Sequence, residues 1–337
     1  MTTLLSSDWH FSNNPRDEYR FAWLKDDLRR KIKKYRVKKL FILGDLTEEK
    51  DRHCAELVNR IVEEIVDLSK RVAEVIILSG NHDGLSTDCP FFMFLHLMPN
   101  ITWISSPTVI NSKDLGKLLF LPHTRNYKRD WKKFNFKEFD WIFTHASFAG
   151  ITTESGFKMN EGIPVSVFPK TAKVISGDIH KPQKIGPVTY VGSPYTVDFG
   201  DDFIPRVLLL EGDTMRSIKC RGPQKRLVNM CISDCVDEFL VDCKSDLTLG
   251  DILKVQVNLL QKSKANWAEI KSQIYKWGEN NGYVVHLVKP VLEGIEYTAR
   301  INEVKQRNDT QMLKAFAKRM KLDKLTVKVG LSLSKAA

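Results

Sequence analysis

The chain alternates short apolar runs with longer stretches in which apolar residues recur at helical spacing. TTLLSSD, residues 2–8, is apolar and then polar, which predicts a buried strand. Residues 16–36 carry Tyr19, Phe21, Trp23, Leu24, Leu28 and Ile32 among many charges and predict a helix. KKLFILGD (38–45) reads as a second strand, and residues 50–71 as a second helix with Leu57, Ile61, Ile65 and Leu68 on one face. VAEVIILSGNHD (72–83) completes a β-α-β-α-β order, the pattern of a parallel sheet with crossover helices. FDWIFTHA (139–146) and AKVISGDIH (172–180) predict further buried strands, while VTYVGS and RVLLLEGDTMRSIKC read as antiparallel additions.

A break follows at RGPQK, 221–225, where Gly and Pro interrupt the pattern and suggest a linker. Beyond it lie short strands (LVNMCI, EFLVDC, ILKVQVNL), a helix near 266–279 and a final strand, YVVHLVKPV. These predict a small α+β unit. Residues 297–321 read as a basic helix whose apolar positions form a broken stripe. FFMFLHLM (91–98) is apolar on all sides, which suits either burial or a symmetric dimer contact.

The polar ends of the strands carry the chemistry. The first closes on Asp8-Trp9-His10, the second on Gly44-Asp45, and the third on Gly80-Asn81-His82-Asp83. The next two end in Thr144-His145 and Asp178-Ile179-His180. Strand C-termini of a parallel sheet share one edge, so these residues are expected to meet in one crevice. Carboxylate, amide and imidazole donors without thiolate suit two hard or borderline divalent cations. Singly, each element has an ordinary reading: Asp8 as a helix cap, His145 as a core histidine, Asp83 as a turn former. The ordered conjunction favours a metal site. His53, His96, His123 and His286 fall outside the pattern and read as ordinary residues.

Net charge changes the picture next. A formal charge of +11 and a pI near 9.2 favour a polyanionic partner such as nucleic acid. RNYKRDWKKF (125–134) interleaves Arg125, Lys128, Arg129, Lys132 and Lys133 with aromatics, which suits phosphate contact with stacking. A surface helix snorkelling over Trp131 and Phe134 fits the same residues. Six cysteines lack CxxC spacing and no histidine lies near the four between 220 and 243, so reduced thiols fit better than structural zinc. No run approaches the roughly 20 apolar residues of a membrane span, and no secretory signal is legible. A cytoplasmic protein, of a bacterium or a phage-infected host, is expected.

SSDWH, GDLTE, GNHDG, THA and GDIH, in that order over residues 4–180, resemble the calcineurin-like metallophosphoesterases. YVGSPYTVDFGD (190–201), followed by RVLLLE, is similar to a segment of that family's DNA-repair branch. This branch comprises the SbcD-type nuclease subunit, its archaeal and eukaryotic counterparts, and the recombination endonuclease subunit of tailed phages. The resemblance implies an α/β fold, a two-sheet sandwich flanked by helices, with a small α+β capping domain. Its parts would be a nuclease domain at 1–220, a capping domain at 226–293 and, at 294–337, a basic helical tail that binds an ATPase partner. Two Mn²⁺ ions, or Mg²⁺, are implied: Asp8, His10 and His180 would hold one, Asn81 and His145 the other, and Asp45 would bridge. His82 would be the catalytic acid. Position 178 holds Asp where the family has the first His of G-H-x-H; a carboxylate there is expected to remain a ligand of the second metal. Glu48 also departs from the archaeal pattern, which has His there. The implied activity is metal-dependent DNA cleavage, 3′→5′ exonuclease and single-strand endonuclease, by a homodimer acting with an SbcC-type coiled-coil ATPase. The chain has no P-loop of its own. The alternatives are a stand-alone phosphatase or phosphodiesterase, and a non-catalytic DNA-binding subunit with a degraded second metal site.

Overall fold

The computed structural model describes residues 1–14, 17–86, 89–153, 156–231, 247–259 and 266–292. Strand β1 (Thr2–Ser6), helix α1 (Glu18–Tyr35), β2 (Lys39–Leu43), helix α2 (Ala55–Arg71) and β3 (Glu74–Leu78) follow the predicted β-α-β-α-β order. The helix ends obey local chemistry. Glu18 sits in the first turn of α1 and Lys33 and Lys34 in its last, complementing the helix dipole. Cys54 caps α2 by accepting from the Leu57 N–H at 3.4 Å.

Strands β1, β2 and β3 and β4 (Ile101–Ile104) pair in parallel. The hairpin β11 (Arg206–Glu211) and β12 (Thr214–Lys219) adds antiparallel to β1, which gives the order β12-β11-β1-β2-β3-β4. The chain then crosses to a second sheet. Its strands are β5 (Thr108–Ser112), β6 (Gly116–Leu121), β7 (Trp141–His145), β8 (Val174–Gly177), β9 (Gln183–Ile185) and β10 (Val188–Tyr190), in the order β5-β6-β7-β8-β10-β9. The single parallel sheet expected from the run order is therefore corrected to two mixed sheets, as the family resemblance implied. An apolar strand covered on both faces reads the same whichever sheet it joins.

Alternation within the strands decides what faces what. Leu5, Phe41, Leu43, Ile76 and Leu78 point between the sheets and meet Leu118, Phe120, Phe143 and Ile175 of the second sheet. The Phe41 ring lies 5.4 Å from that of Phe120 and 5.2 Å from that of Phe143. Burying one such side chain contributes about 1.5–3 kcal/mol. Leu4, Leu40, Ile42, Val75 and Ile77 point the other way, under α1 and α2. The outer face of the second sheet is covered by Trp131, Phe148, Ile151 and Phe168.

RGPQK is better ordered than a loose linker. Gln224 is buried, its side-chain oxygen accepts from the Thr196 N–H at 2.7 Å, and its backbone N–H donates to Asp251 at 2.7 Å. A third sheet follows, with β13 (Lys225–Cys231), β14 (Ile252–Leu259) and β15 (Val284–Leu292) all parallel. Helix α4 (Trp267–Asn280) covers one face through Ile270 and Ile274; α3 is a single turn, Tyr127–Asp130. FFMFLHLM forms a 3-10 turn that buries Phe92 and Leu95 and leaves Phe94 and Leu97 exposed, so its apolar surface is only half covered. The strand read at EFLVDC and the basic helix read at 297–321 lie outside the described residues. No helix among the described residues is long and apolar enough to cross a membrane.

Candidate metal centre

Both sheets of the sandwich end at one edge, and there the five polar clusters meet. Asp8 and His10 follow β1, Asp45 follows β2, and Asn81 and His82 follow β3. His145 closes β7, and Asp178 and His180 follow β8. The turns are tight: Asp8, His10, Asp45 and Asp178 all have positive φ, at 56°, 44°, 56° and 83°. Side chains adopt that region at a cost, which local over-determination must hold in place. Gly44, at φ +90°, could carry no Cβ without colliding with the His145 ring, and a Cβ on Gly80 would collide with the Asp45 carboxylate.

Ligand-type atoms converge closely. Those of Asp8, His10 and His180 lie within 4.8 Å of one another, as do those of Asp8, Asp45 and His145, and those of His10, Asp45 and His82. Nε2 of His10 and Nε2 of His180 are 3.0 Å apart. His145 Nε2 lies 3.3 Å from an Asp45 oxygen and 3.6 Å from an Asp178 oxygen. The Asn81 side-chain amide reaches His145 Nε2 at 2.8 Å, Asp178 at 3.1 Å and Asp45 at 3.3 Å. Asp178 has a further partner, the Ser147 hydroxyl, and its backbone N–H donates to Asp8 Oδ1 at 3.0 Å.

The imidazoles are aimed by what holds Nδ1. His145 Nδ1–H donates to the Leu43 carbonyl at 2.7 Å, and His82 Nδ1–H to the Glu48 carbonyl at 2.7 Å. His10 Nδ1 contacts the Glu48 carboxylate at 2.7 Å. Each ring therefore keeps Nε2 for the centre. Asp83 supports the turns from behind, accepting from the N–H groups of Asp45, Leu46 and Gly80. Ser193, within YVGSP, ties two clusters together: its hydroxyl donates to the Asp8 carbonyl at 3.0 Å and its N–H to the His180 carbonyl at 2.9 Å.

The electrostatics are those of a cation site. Burial raises the Asp8 carboxyl to about 7, and burial followed by the Asp45 charge raises Asp83 to about 6. Burial would raise Asp45 as well, but His145, by charge and hydrogen bond, and then His10 and His82 hold it well below the usual carboxylate range. Burial disfavours the His145 cation, yet Asp45, Asp178 and Asp8 outweigh it and raise the ring well above its ordinary value. His180 is lowered to about 3 by burial and by the His10 charge. Glu48 is lowered to about 2, chiefly by the hydrogen bond it accepts from His10. Oδ2 of Asp8 is buried and has no hydrogen-bond partner among the described residues. An uncompensated carboxylate oxygen in so dry a place favours a bound cation, and the oxygen and nitrogen donors fit hard or borderline divalent ions.

Every predicted metal-site residue reaches this edge, but not equally. Asp178 falls outside the three tight triplets and His82 falls inside one. Glu48 and His123, neither of them among the expected site residues, are neighbours of the centre. The His123 ring lies 6.4 Å from that of His145, and the His123 backbone N–H donates to the Ser79 carbonyl at 2.9 Å. LLFLPH carries the same signal as the other strand ends, an apolar run closing on histidine; Pro122 makes it read as a loop. Arg125, Lys128, Arg129, Lys132 and Lys133 are exposed, and Arg129 pairs with Asp130 at 2.6 Å. Trp131 is 3% exposed and packs near Phe168, so of the two readings of this stretch the one that makes Trp131 a stacking platform falls away.

The chain covers 72% of the nuclease MPE of Pseudomonas putida with 64% of its own length, at 14% identity and a TM-score of 0.32. A dimetal phosphatase from Danio rerio is covered over 99% of its length by 66% of this chain, at 10% identity and a TM-score of 0.37. Among curated proteins, nothing matches the chain. The profile of the calcineurin-like phosphoesterases matches residues 1–208, which hold every member of the metal-type cluster, and the chain belongs to that family.

Proposed function

We propose that the chain is a metal-dependent DNA nuclease that works as an SbcD-type subunit with an SbcC-type coiled-coil ATPase. The observation that supports this most is the convergence of Asp8, His10, Asp45, Asn81, His145, Asp178 and His180 from both sheets around the unpartnered Asp8 Oδ2. Asp8, His10 and His180 would hold one cation, Asn81, His145 and Asp178 the other, and Asp45 would serve both. Two Mn²⁺ or Mg²⁺ ions would supply a nucleophilic hydroxide near neutral pH and neutralise charge on the phosphodiester oxygens. His82 is the proton donor in this reading. Its Nδ1–H stays on the Glu48 carbonyl, and the protonated ring donates from Nε2 to the leaving oxygen.

DNA as substrate is supported by the charge of +11 and by the exposed Arg125, Lys128, Arg129, Lys132 and Lys133. The exposed Phe94 and Leu97 support a homodimer contact at 91–98. The basic segment at 294–337 would dock the ATPase.

The test uses end-labelled single-stranded and duplex DNA beside a chromogenic phosphodiester, with Mn²⁺ and with excess EDTA. Cleavage of all three with Mn²⁺ and of none with EDTA is expected. Hydrolysis of the chromogenic compound alone would identify a stand-alone phosphodiesterase. DNA binding without any hydrolysis would identify a non-catalytic subunit.

A further inference from the structure

Away from the metal cluster, the C-terminal half of α1 and the edge strand β12 flank an open cavity of about 600 Å³. Arg30, Lys31 and Lys34 line it from the helix, and Lys219 and Arg221 from the end of β12 and just beyond. The spacing 27, 30, 31, 34 puts four charged positions on one helix face. The one lining carboxylate is Asp27, which contacts Lys31 and lies 3.6 Å from Arg30. Five cations thus face one carboxylate, and none of these residues belongs to the metal cluster.

Two features distinguish this cavity from an ordinary solvated face. Its walls come from segments nearly 200 residues apart in the chain (27–35 and 217–221), so the concavity is a product of folding. Its floor is desolvated: Lys31 and Asp27 are 6% and 7% exposed, and the half-buried Tyr35 ring forms part of the wall. Packing like charges in a recess lowers stability, because Arg30 and Lys34 at i,i+4 repel one another. A bound anion removes that cost. Lys34, Lys219 and Arg221 are exposed and form no ion pair with any described residue.

The charge also runs on past the cavity. Residues 29–39, RRKIKKYRVKK, hold eight cations in eleven positions. Lys33, Arg36 and Lys38 are exposed, and they too form no ion pair with any described residue. A mononucleotide would use only the recess; a polymer uses the recess and its surroundings. We propose that this cavity is an exosite for the sugar–phosphate backbone of a nucleic-acid strand, with the cations on phosphate and Tyr35 against sugar or base. The choice of nucleic acid over an acidic protein rests on the DNA reading above and on the density of charge that phosphates carry.

The experiment measures binding without cleavage. Fluorescence anisotropy of a labelled single strand and a labelled duplex is recorded in EDTA for the full chain and for the Lys34→Glu/Lys219→Glu/Arg221→Glu variant. The variant is expected to bind at least about tenfold more weakly, with a log K against log salt slope shallower by about two to three, since each lost phosphate contact removes roughly 0.7–0.9. Its hydrolysis of the chromogenic phosphodiester should match wild type, which also reports correct folding. The neutral Lys34→Gln/Lys219→Gln/Arg221→Gln variant should fall between the two. Unchanged affinity and slope in the charge-reversed chain would overturn the exosite. So would a nucleoside triphosphate, or a polyglutamate peptide, that competes as well as the oligonucleotide at equal phosphate or carboxylate concentration. Failure of the nuclease reading appears elsewhere, as wild type that binds DNA and does not cut it.

Discussion

The first sheet's half of the metal-type cluster and the second sheet's half are held in different ways. Asp45, His10 and His82 are locked within their own sheet's loops. Asp83 gathers three backbone N–H groups beneath Asp45, and Glu48 holds both His10 and His82. His145 and Asp178 instead take their positions from across the interface, His145 from the Leu43 carbonyl and Asp178 through its N–H to Asp8. The first half can form locally, whereas the second half exists only once the apolar inner faces have docked. Tight register between the sheets is therefore needed to assemble the cluster as well as being a source of stability.

The largest expected effect tests the locally built half. His82→Ala should lower cleavage by about 10³-fold, within the range for a lost general acid, while calorimetry still counts two metals. The proximity of His82 to His10 and Asp45 makes this a strict test, and loss of one equivalent of metal would make His82 a ligand. Next comes the docked half. Asp178→Ala should remove one metal, read by calorimetry or anomalous scattering, and lower cleavage by about 10²-fold, since the remaining cation cannot serve both oxygens. If two metals persist, the Asp178–Ser147 contact is structural and the second site is complete without this carboxylate.

Glu48→Gln should be milder. The Glu48 backbone carbonyl still holds His82, but His10 loses its charged partner, and metal affinity should fall about 10-fold to 100-fold. Titration with Mn²⁺ measures it, and an unchanged affinity would show that backbone strain alone orients His10. The smallest effect lies outside the site, between α1 and α2. Asp67 accepts from Arg29 and Arg71 and is lowered to about 2, chiefly by the Arg71 hydrogen bond and despite some burial. A depressed carboxylate stabilises above its unfolded value of about 3.9 and loses that contribution as pH falls towards 2. Asp67→Asn should cost under about 1 kcal/mol by denaturant titration at pH 7, nothing near pH 2, and leave cleavage unchanged.

Much of this was legible in the chain. The runs ending in Asp8, Asp45, His82, His145 and Asp178 each pair an apolar strand with a polar end, a local signal that survives without knowledge of the fold. What escaped was of two kinds. His123 ends a sixth such run that Pro122 disguises. Glu48 carries no signal of its own and Ser193 only the resemblance of YVGSP, because their importance is a contact: a 2.7 Å approach to His10 for one, two hydrogen bonds to separate ligand loops for the other. Trp131 was open to two readings, and its burial selects against the stacking one. An aromatic among lysines looks available for stacking until packing removes it from solvent.

By itself the sequence determined which residue types stand at the strand ends, and hence the chemistry the edge can support, because periodicity and turn residues act over a few positions. Tertiary structure alone decided that the ends belong to two sheets and that a carbonyl 102 residues away aims His145. It also decided that a basic helix end and a distant strand flank one recess. Those outcomes depend on how apolar faces pair, and an apolar strand buried on both sides carries no mark of its partner.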